Sequence, residues 1–243
     1  MKSVAVIKIG GSVLRNAEDF ERAARFLAAR LEEHPGERLV AVVSAEHGVT
    51  DALLATARAI VREPDPATLD LLWSTGELRS AALLALQLQA RGVRATAINV
   101  HQTGLTEPNG RDGEATVGIR ALRLAAALAS HDIVVAPGFL ARGGGDAVVS
   151  LGRGGSDLTA VLLAASLGAR QCELVKDVPG YYSADPNVDR AADHLPCVDF
   201  ERALAMADAG CDLVQRQALE AARERRLRLV VRAMHADPRT IVT

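Results

Sequence analysis

The chain has little of several features by which function is often recognised. Its 28 lysine and arginine residues nearly balance its 30 aspartate and glutamate residues. No excess of charge therefore favours nucleic acid or an acidic membrane surface as a partner. Lysine is scarce, because all basic residues except Lys2, Lys8 and Lys176 are arginines. A lysine at a position where an ammonium group would be useful is accordingly conspicuous.

Cysteine, targeting segments and repeats are no more informative. Cys172, Cys197 and Cys211 are odd in number and fit no metal-ligand spacing, so we interpret them as reduced thiols of a cytoplasmic protein. The apolar residues 1–10 are too few for a signal peptide, and no segment has the length of a membrane span. Internal repeats, heptads and low-complexity tracts are absent from the sequence. The 243 residues predict one large α/β domain or two small lobes.

Short β-branched runs alternate with helical periodicity along the chain. Val4 to Ile9 predicts a buried strand that stops at Gly10-Gly11. Further strands are predicted at 39–43, 93–100, 133–135, 172–175 and 229–231, and helices at about 20–31, from 51, and at 69–88, 121–129, 158–167, 200–209 and 214–225. The alternation predicts a three-layer α/β/α sandwich with a mainly parallel central sheet.

Two glycine-rich segments are candidate anion sites. In Gly152-Arg153-Gly154-Gly155-Ser156-Asp157, a loop leads into a helix, whose first N–H groups favour a phosphate or carboxylate. The alternative is an ordinary turn with a capping aspartate. Lys8 stands at a strand end beside Gly10-Gly11-Ser12, where its ammonium and the glycine N–H groups could hold a phosphate. The alternative is a strand-end lysine that reaches solvent.

Three further features follow predicted strands or lie in an apolar helix. Ser44 and Thr50 could contact a substrate, although such residues more often cap a helix. Glu77 lies in an apolar helix, where a carboxylate is costly unless it meets a ligand ammonium or an arginine. The loop from Lys176 to Pro186 contains two tyrosines and two aspartates, which suit a nucleotide base and ribose but also an ordinary surface loop.

Together these segments resemble the amino acid kinase superfamily, and within it the aspartate kinases. The resemblance rests on order and approximate spacing of five motifs: Lys8-Ile9-Gly10-Gly11-Ser12; Ser44 to Thr50 with Asp51-Ala52-Leu53-Leu54; Thr75-Gly76-Glu77; Gly152 to Asp157; and Asp177-Val178-Pro179-Gly180 through Asp185-Pro186.

The resemblance implies a role for each matching position. Lys8 would neutralise charge on the transferred phosphoryl group, and Asp157 would organise that lysine. Arg153 would hold the α-carboxylate of the acceptor, Glu77 its α-ammonium, and Ser44 and Thr50 would enclose it. The nucleotide would be held by a larger set: Lys8, Gly10, Gly11, Ser12, Lys176, Asp177, Tyr182 and Asp185.

By this resemblance we expect ATP-dependent phosphorylation of the aspartate side-chain carboxylate, with ATP and Mg²⁺ as cofactors. A kinase for another small amino dicarboxylate and a non-catalytic nucleotide-binding protein with a storage or regulatory role are the alternatives. We expect one domain over residues 1–243, with an acceptor lobe at about 1–150, a nucleotide lobe at about 151–243 and no regulatory ACT domain. A homodimer is the expected assembly.

Three positions depart from the aspartate kinase pattern on the nucleotide side. Asn187 replaces a common arginine, and Asp212 replaces a lysine whose positive charge would face phosphate. Lys176 stands where threonine is usual, and we hypothesise that it supplies the missing charge.

Overall fold

The computed structural model describes residues 3–107, 118–152, 154–186, 188–189 and 191–243. Its strands, in chain order, are β1 (Val4–Ile9), β2 (Arg38–Val43), β3 (Ala95–Ala97), β4 (Leu105–Thr106), β5 (Gly118–Ile119), β6 (Ile133–Pro137), β7 (Leu140–Arg142), β8 (Val148–Ser150), β9 (Gln171–Lys176), β10 (Cys197–Val198), β11 (Arg228–Ala233) and β12 (Arg239–Val242). Its α-helices are α1 (Ala17–Glu33), α2 (Val49–Ile60), α3 (Pro66–Gln89), α4 (Val100–Thr103), α5 (Leu122–Ser130), α6 (Gly155–Ser166), α7 (Phe200–Asp208) and α8 (Arg216–Glu224).

An eight-stranded sheet forms the centre of the molecule. Its spatial order is β10-β12-β11-β9-β1-β2-β6-β3, and every neighbouring pair except β11 with β12 is parallel. A separate four-stranded sheet has the order β5-β4-β7-β8, in which β7 and β8 form an antiparallel hairpin. The predicted mainly parallel sheet is confirmed.

Helices cover both faces of this sheet. On one face, side chains of α5, α6, α7 and α8 form a continuous core with alternate residues of β1, β2, β6, β9 and β11. On the other face, α1 and α3 pack on the intervening residues of β1, β2 and β6. Because both faces are buried, these strands read as nearly continuous apolar runs rather than as alternating patterns. The three-layer α/β/α sandwich is therefore confirmed.

Two elements differ from the sequence-based expectations. The strand predicted at 93–100 shortens to β3, because Asn99 and Gln102 form a capping box that begins α4 at Val100. The strand at 229–231 is followed by β12, which pairs antiparallel with it through Leu229 and Val242. In the described part of the chain, no helix is long and apolar enough to cross a membrane.

Candidate active site

The predicted motifs meet at one edge of the large sheet. Strands β1, β2, β6 and β9 are consecutive or near neighbours in the sheet and parallel, so their carboxyl ends share this edge. The residues that follow these ends are Gly10, Ser44, Gly138 and Asp177. In open parallel sheets this is the edge where ligands bind.

A buried cluster of two lysines and one aspartate lies at this edge. Lys8 Nζ is 2.8 Å from Asp157 Oδ1, and Lys176 Nζ is 2.7 Å from Asp157 Oδ2. Lys8 pairs with Leu174 across β1 and β9, so Lys176, two residues further on, projects from the same face of the sheet. With Lys8 only 6% exposed, the alternative in which it reaches solvent is wrong.

The charges of the cluster stabilise the ionised aspartate. Burial alone would raise the pKa of the Asp157 carboxyl, but the ammonium groups of Lys8 and Lys176 outweigh burial and hold the pKa at about 2. Burial and the neighbouring Lys8 lower the pKa of Lys176, whereas Asp157 opposes that change. The cluster therefore contains two cationic groups and one anionic group, an arrangement suited to a further anion.

Asp157 is not the capping residue of its helix. The N-cap of α6 is Gly154, with φ +79°, and it has no side-chain cap. A Cβ on Gly154 would lie 2.0 Å from Gln215 Cγ, so the turn also needs the absence of a side chain. Asp157 is the third residue of the helix, and its carboxylate is directed to the lysines. The capping alternative is therefore wrong for Asp157.

The glycine turn after β1 holds its first N–H within the protein. Gly10 N–H donates to the Val175 carbonyl at 3.2 Å. The Gly10 N–H is therefore not available to a phosphate, contrary to the expectation. The candidate donors at this turn are the N–H groups of Gly11 and Ser12, which begin a 3₁₀ turn. Ser12 Oγ lies 3.4 Å from Asp177 Oδ1 and so connects this turn to the segment after β9.

A pocket of ≈ 270 Å³ is lined by three of the residues predicted to bind the acceptor. Ser44, Thr50 and Glu77 line it together with Gly11 and the 154–156 turn. Thr50 is the second residue of α2, whose N-cap is Gly48, so the capping alternative is wrong for Thr50. The glycine-rich loop and the segment after β2 thus enclose one cavity from two sides.

Glu77 is the most perturbed acid of this pocket. Its side chain is 4% exposed, and Oε2 has no hydrogen-bond partner among the described residues. Burial raises the pKa of Glu77 to about 8, although the Ala45 backbone N–H and the Lys8 charge oppose this. A ligand ammonium, which is the partner that the resemblance implies, would satisfy the unpaired oxygen.

A second pocket, of ≈ 680 Å³, is lined by residues that follow Lys176 in the chain, beginning with Asp177. The segment 177–186 supplies Asp177, Tyr182 and Asp185 to its wall, and the segment 206–213 supplies the facing wall. Asp212 is part of that facing wall, so its charge adjoins the space predicted to hold the nucleotide. Arg153 and Asn187 lie outside the described residues, and their predicted contributions stay predictions.

The sequence pattern of the amino acid kinase family matches residues 3–233 of the chain. The chain belongs to the amino acid kinase family. An aspartokinase of Mycobacterium tuberculosis is 36% identical to this amino acid kinase over 243 residues, which cover 99% of the chain and 57% of the relative. An aspartokinase of Thermus thermophilus is 36% identical over 242 residues, with 99% and 59% covered. The chain thus spans less than three-fifths of the length of these curated relatives.

Solved aspartate kinases have the same fold as this amino acid kinase chain. The aspartate kinase from Synechocystis has a TM-score of 0.87 and 32% identity, covering 99% of this chain and 40% of that one. E. coli aspartokinase III, solved in complex with aspartate and ADP, has a TM-score of 0.83 and 27% identity, with 99% and 64% covered. UMP kinase from Ureaplasma parvum, at 16% identity and TM-score 0.72, shares the fold.

Two groups of residues in this amino acid kinase site were not among the predicted site residues. Glu46 and His47 line the ≈ 270 Å³ pocket from within the motif after β2, and Glu46 Oε2 is 2.6 Å from Arg79 Nη1. Phe139 also lines the pocket, with φ +68° and an edge contact to Trp73 at 6.0 Å between ring centroids. A non-glycine residue in the left-handed region often marks a functional site, but sequence alone does not reveal the dihedral angle.

Proposed function

We propose that this chain transfers the γ-phosphoryl group of ATP to the side-chain carboxylate of aspartate, forming 4-phospho-aspartate and ADP. The observation that carries the proposal is the position of the Lys8, Asp157 and Lys176 cluster. Ser156, next to Asp157, lines the pocket that contains Glu77, and Asp177, next to Lys176, lines the pocket of the tyrosine-containing loop. The solved complex of E. coli aspartokinase III with aspartate and ADP supports this choice of ligands.

The reaction needs alignment and charge neutralisation rather than proton transfer. An aspartate side chain is ionised near neutral pH, so its carboxylate oxygen attacks the γ-phosphorus without a general base. The new O–P bond forms as the bond from phosphorus to the β,γ-bridging oxygen breaks, and ADP leaves with that electron pair. Lys8 neutralises the transferred oxygens, Asp157 orients Lys8, and Lys176 adds a second positive charge on the nucleotide side.

Selection of the acceptor would depend on its zwitterionic end. Glu77 accepts from the α-ammonium, and Arg153 pairs with the α-carboxylate, as the resemblance implies. Ser44 and Thr50, which line the same pocket, enclose the substrate. With both α-groups held, the side-chain carboxylate is the group left to attack.

On the nucleotide side, the phosphates would contact Gly11, Ser12 and Lys176, and the nucleoside would contact Asp177, Tyr182 and Asp185. Magnesium would enter with ATP, whose phosphate groups are ligands that this ion prefers. Phosphate oxygens and water satisfy most of the coordination of Mg²⁺, which neutralises phosphate charge when bound.

We further propose, from the resemblance, a cytoplasmic homodimer; sedimentation equilibrium of the purified chain tests the assembly.

A hydroxamate assay tests the activity directly. Hydroxylamine traps an acyl phosphate, so ATP, Mg²⁺ and aspartate should give an aspartate-dependent coloured product with folded protein. The same assay with glutamate and with non-amino dicarboxylates distinguishes aspartate from another acceptor. ADP release in each reaction is the parallel measurement. Folded protein that binds ATP but releases no ADP with any acceptor would favour the non-catalytic alternative, for which Asp212 in the nucleotide pocket is the relevant observation.

A further inference from the structure

We propose that Thr240, on the last strand of the sheet, is a positioning residue that sets the shape of the nucleotide-binding loop. The inference rests on the proposed nucleotide pocket, whose wall includes the segment 177–186. Thr240 itself does not line that pocket. Thr240 would affect the affinity for ATP indirectly, through the loop backbone to which it is hydrogen-bonded.

The Thr240 hydroxyl joins two chain segments. It accepts a hydrogen bond from the Tyr181 backbone N–H at 2.8 Å and donates one to the Leu195 carbonyl at 2.6 Å. The side chain is completely buried, with 0% exposure. A buried hydroxyl with both a donor and an acceptor partner is costly to remove, because two backbone groups would lose their partner away from water.

The loop also lies directly against Thr240. A Cβ on Gly180 would be 2.1 Å from Thr240 Oγ1 and 2.9 Å from the Thr240 backbone nitrogen. Any other residue at position 180 would push the loop away from β12. Glycine at this position therefore allows the close approach that the two hydrogen bonds require.

The two segments joined by Thr240 are paired with each other as well. Leu195 N–H donates to the Tyr181 carbonyl at 2.8 Å, and Ser183 N–H donates to the Asp193 carbonyl at 2.9 Å. The Tyr182 ring, which lines the nucleotide pocket, makes an edge contact with His194 at 5.3 Å between centroids. Thr240 thus anchors a short paired structure that presents Tyr182 to the nucleotide.

Titration calorimetry with MgATP tests this role, first in two variants of Thr240 itself. Thr240→Val keeps the shape of the side chain but removes the hydroxyl, and we expect the Kd for MgATP to rise about five- to tenfold. Thr240→Ser retains the hydroxyl and should stay within about twofold of wild type. If the chain is an active kinase, the KM for ATP should follow the Kd, while the KM for the acceptor changes little.

Thr103 offers a matched control. It is also fully buried, its hydroxyl donates to the Val100 carbonyl at 2.7 Å, and it accepts from the Leu105 N–H at 3.2 Å. Thr103→Val should lower the melting temperature to a similar degree and leave the Kd for MgATP unchanged. An equal rise of Kd in Thr103→Val, or no rise in Thr240→Val, would overturn the inference.

Gly180→Ala keeps the test decisive if Thr240→Val does not fold. Because the added methyl group would displace the loop from Thr240, the Kd for MgATP should rise by a similar factor. A folded Gly180→Ala protein with the wild-type Kd would also overturn the inference. Wild-type protein that binds MgATP but does not phosphorylate aspartate would contradict the proposed reaction and leave the role of Thr240 standing.

Discussion

Asp157 compensates two lysines with one carboxylate, so one positive charge of the cluster is left for a ligand. Lys8 and Lys176 are both within 3 Å of Asp157 oxygens and are largely buried. A charge held in such a position costs no reorganisation when phosphate arrives. Lys176 is therefore the residue that we expect to supply the positive charge missing at position 212.

Replacement of Lys176 by threonine, Lys176→Thr, should raise the KM for ATP several-fold. The change removes the extra positive charge but leaves the pair of Lys8 and Asp157 intact. Steady-state kinetics with ATP as the varied substrate measure the effect, and the KM for the acceptor is the internal control. An unchanged KM for ATP would refute the compensating role.

Replacement of Asp212 by asparagine, Asp212→Asn, should have the opposite effect. Asp212 is exposed on the wall of the proposed nucleotide pocket, where its charge would repel phosphate. We expect the KM for ATP to fall about two- to threefold at low salt and the difference to shrink at high salt. Glu32→Gln, the same charge change at the opposite edge of the sheet, is the control and should leave the KM unchanged.

Glu77→Gln should change stability and acceptor binding in opposite directions. The pKa of about 8 in the folded protein exceeds the usual glutamate value, so the unfolded chain ionises Glu77 first as pH rises. The stabilising contribution of Glu77 is complete below about pH 4 and is lost as pH rises towards 8. Relative to wild type, the free energy of unfolding of Glu77→Gln should therefore increase over this range, by on the order of 5 kcal/mol.

Denaturant titrations at several pH values measure this effect on stability, and acceptor kinetics measure its cost. Glutamine cannot pair with an ammonium as a carboxylate does, so the KM for aspartate should rise at least tenfold in Glu77→Gln. In the wild type, that KM should fall as pH rises towards 8 and more Glu77 ionises. Parallel stability profiles for the two proteins would show that Glu77 does not titrate in this range.

At the scale of elements, the turn after β1 and the segment after β2 approach each other closely at Gly11. A Cβ on Gly11 would lie 2.8 Å from the Ala45 carbonyl oxygen, which cannot move as a side chain can. Gly11→Ala should separate the two segments and lower kcat/KM by about tenfold or more, because displaced groups no longer align the reactants. Gly36→Ala meets no atom within 4 Å and is the control, since it tests φ strain without a clash at the site. Equal losses in both variants would contradict the argument.

The elements that carry the motifs could be predicted because each is local. A β-branched run such as Val4 to Ile9, followed by glycines, indicates a buried strand whichever strands it pairs with in the sheet. Strand β12 could not be predicted in the same way, because its four residues gain their stability from pairing with β11, a tertiary contact. The contact of Thr240 with Gly180 depends on that pairing and was therefore also beyond the sequence pattern.

In the candidate site too, local features could be predicted from the sequence and tertiary contacts could not. The residue types of Lys8, Glu77 and Asp157 and their strand-end or helical positions were sufficient to nominate them. Their geometry was not predictable from spacing, since Asp157 could equally have capped its helix. The strained Phe139 and the ion pair of Glu46 with Arg79 arise only when the hairpin, α3 and the segment after β2 are assembled.

At the scale of the whole molecule, both pockets adjoin a single sheet, and the buried charges lie at the carboxyl edge of its central strands. Asp157 connects α6 to β1 and β9, the central strands of the sheet. Loss of its charge leaves two cationic side chains without their partner in a region of little water. If the proposed function is correct, stability and catalysis are therefore coupled at Asp157.

Asp157→Asn should lower the free energy of unfolding by roughly 3–5 kcal/mol at pH 7 and the melting temperature by about 10 °C. The pKa of about 2 lies below the usual aspartate value, so the stabilising contribution is present above about pH 4 and is lost as pH falls towards 2. The difference from wild type should shrink over that acid range in thermal or denaturant unfolding.

Glu173→Gln separates the stability of the sheet from the chemistry of the site. Glu173 is also buried between two cations, with Arg30 Nε at 3.8 Å and Arg232 Nη1 at 3.7 Å, but it lines neither pocket. Its variant should unfold at a lower temperature and retain kcat below that temperature, whereas Asp157→Asn should lose kcat as well. Comparable loss of kcat in both variants would attribute the effect of Asp157 to stability alone.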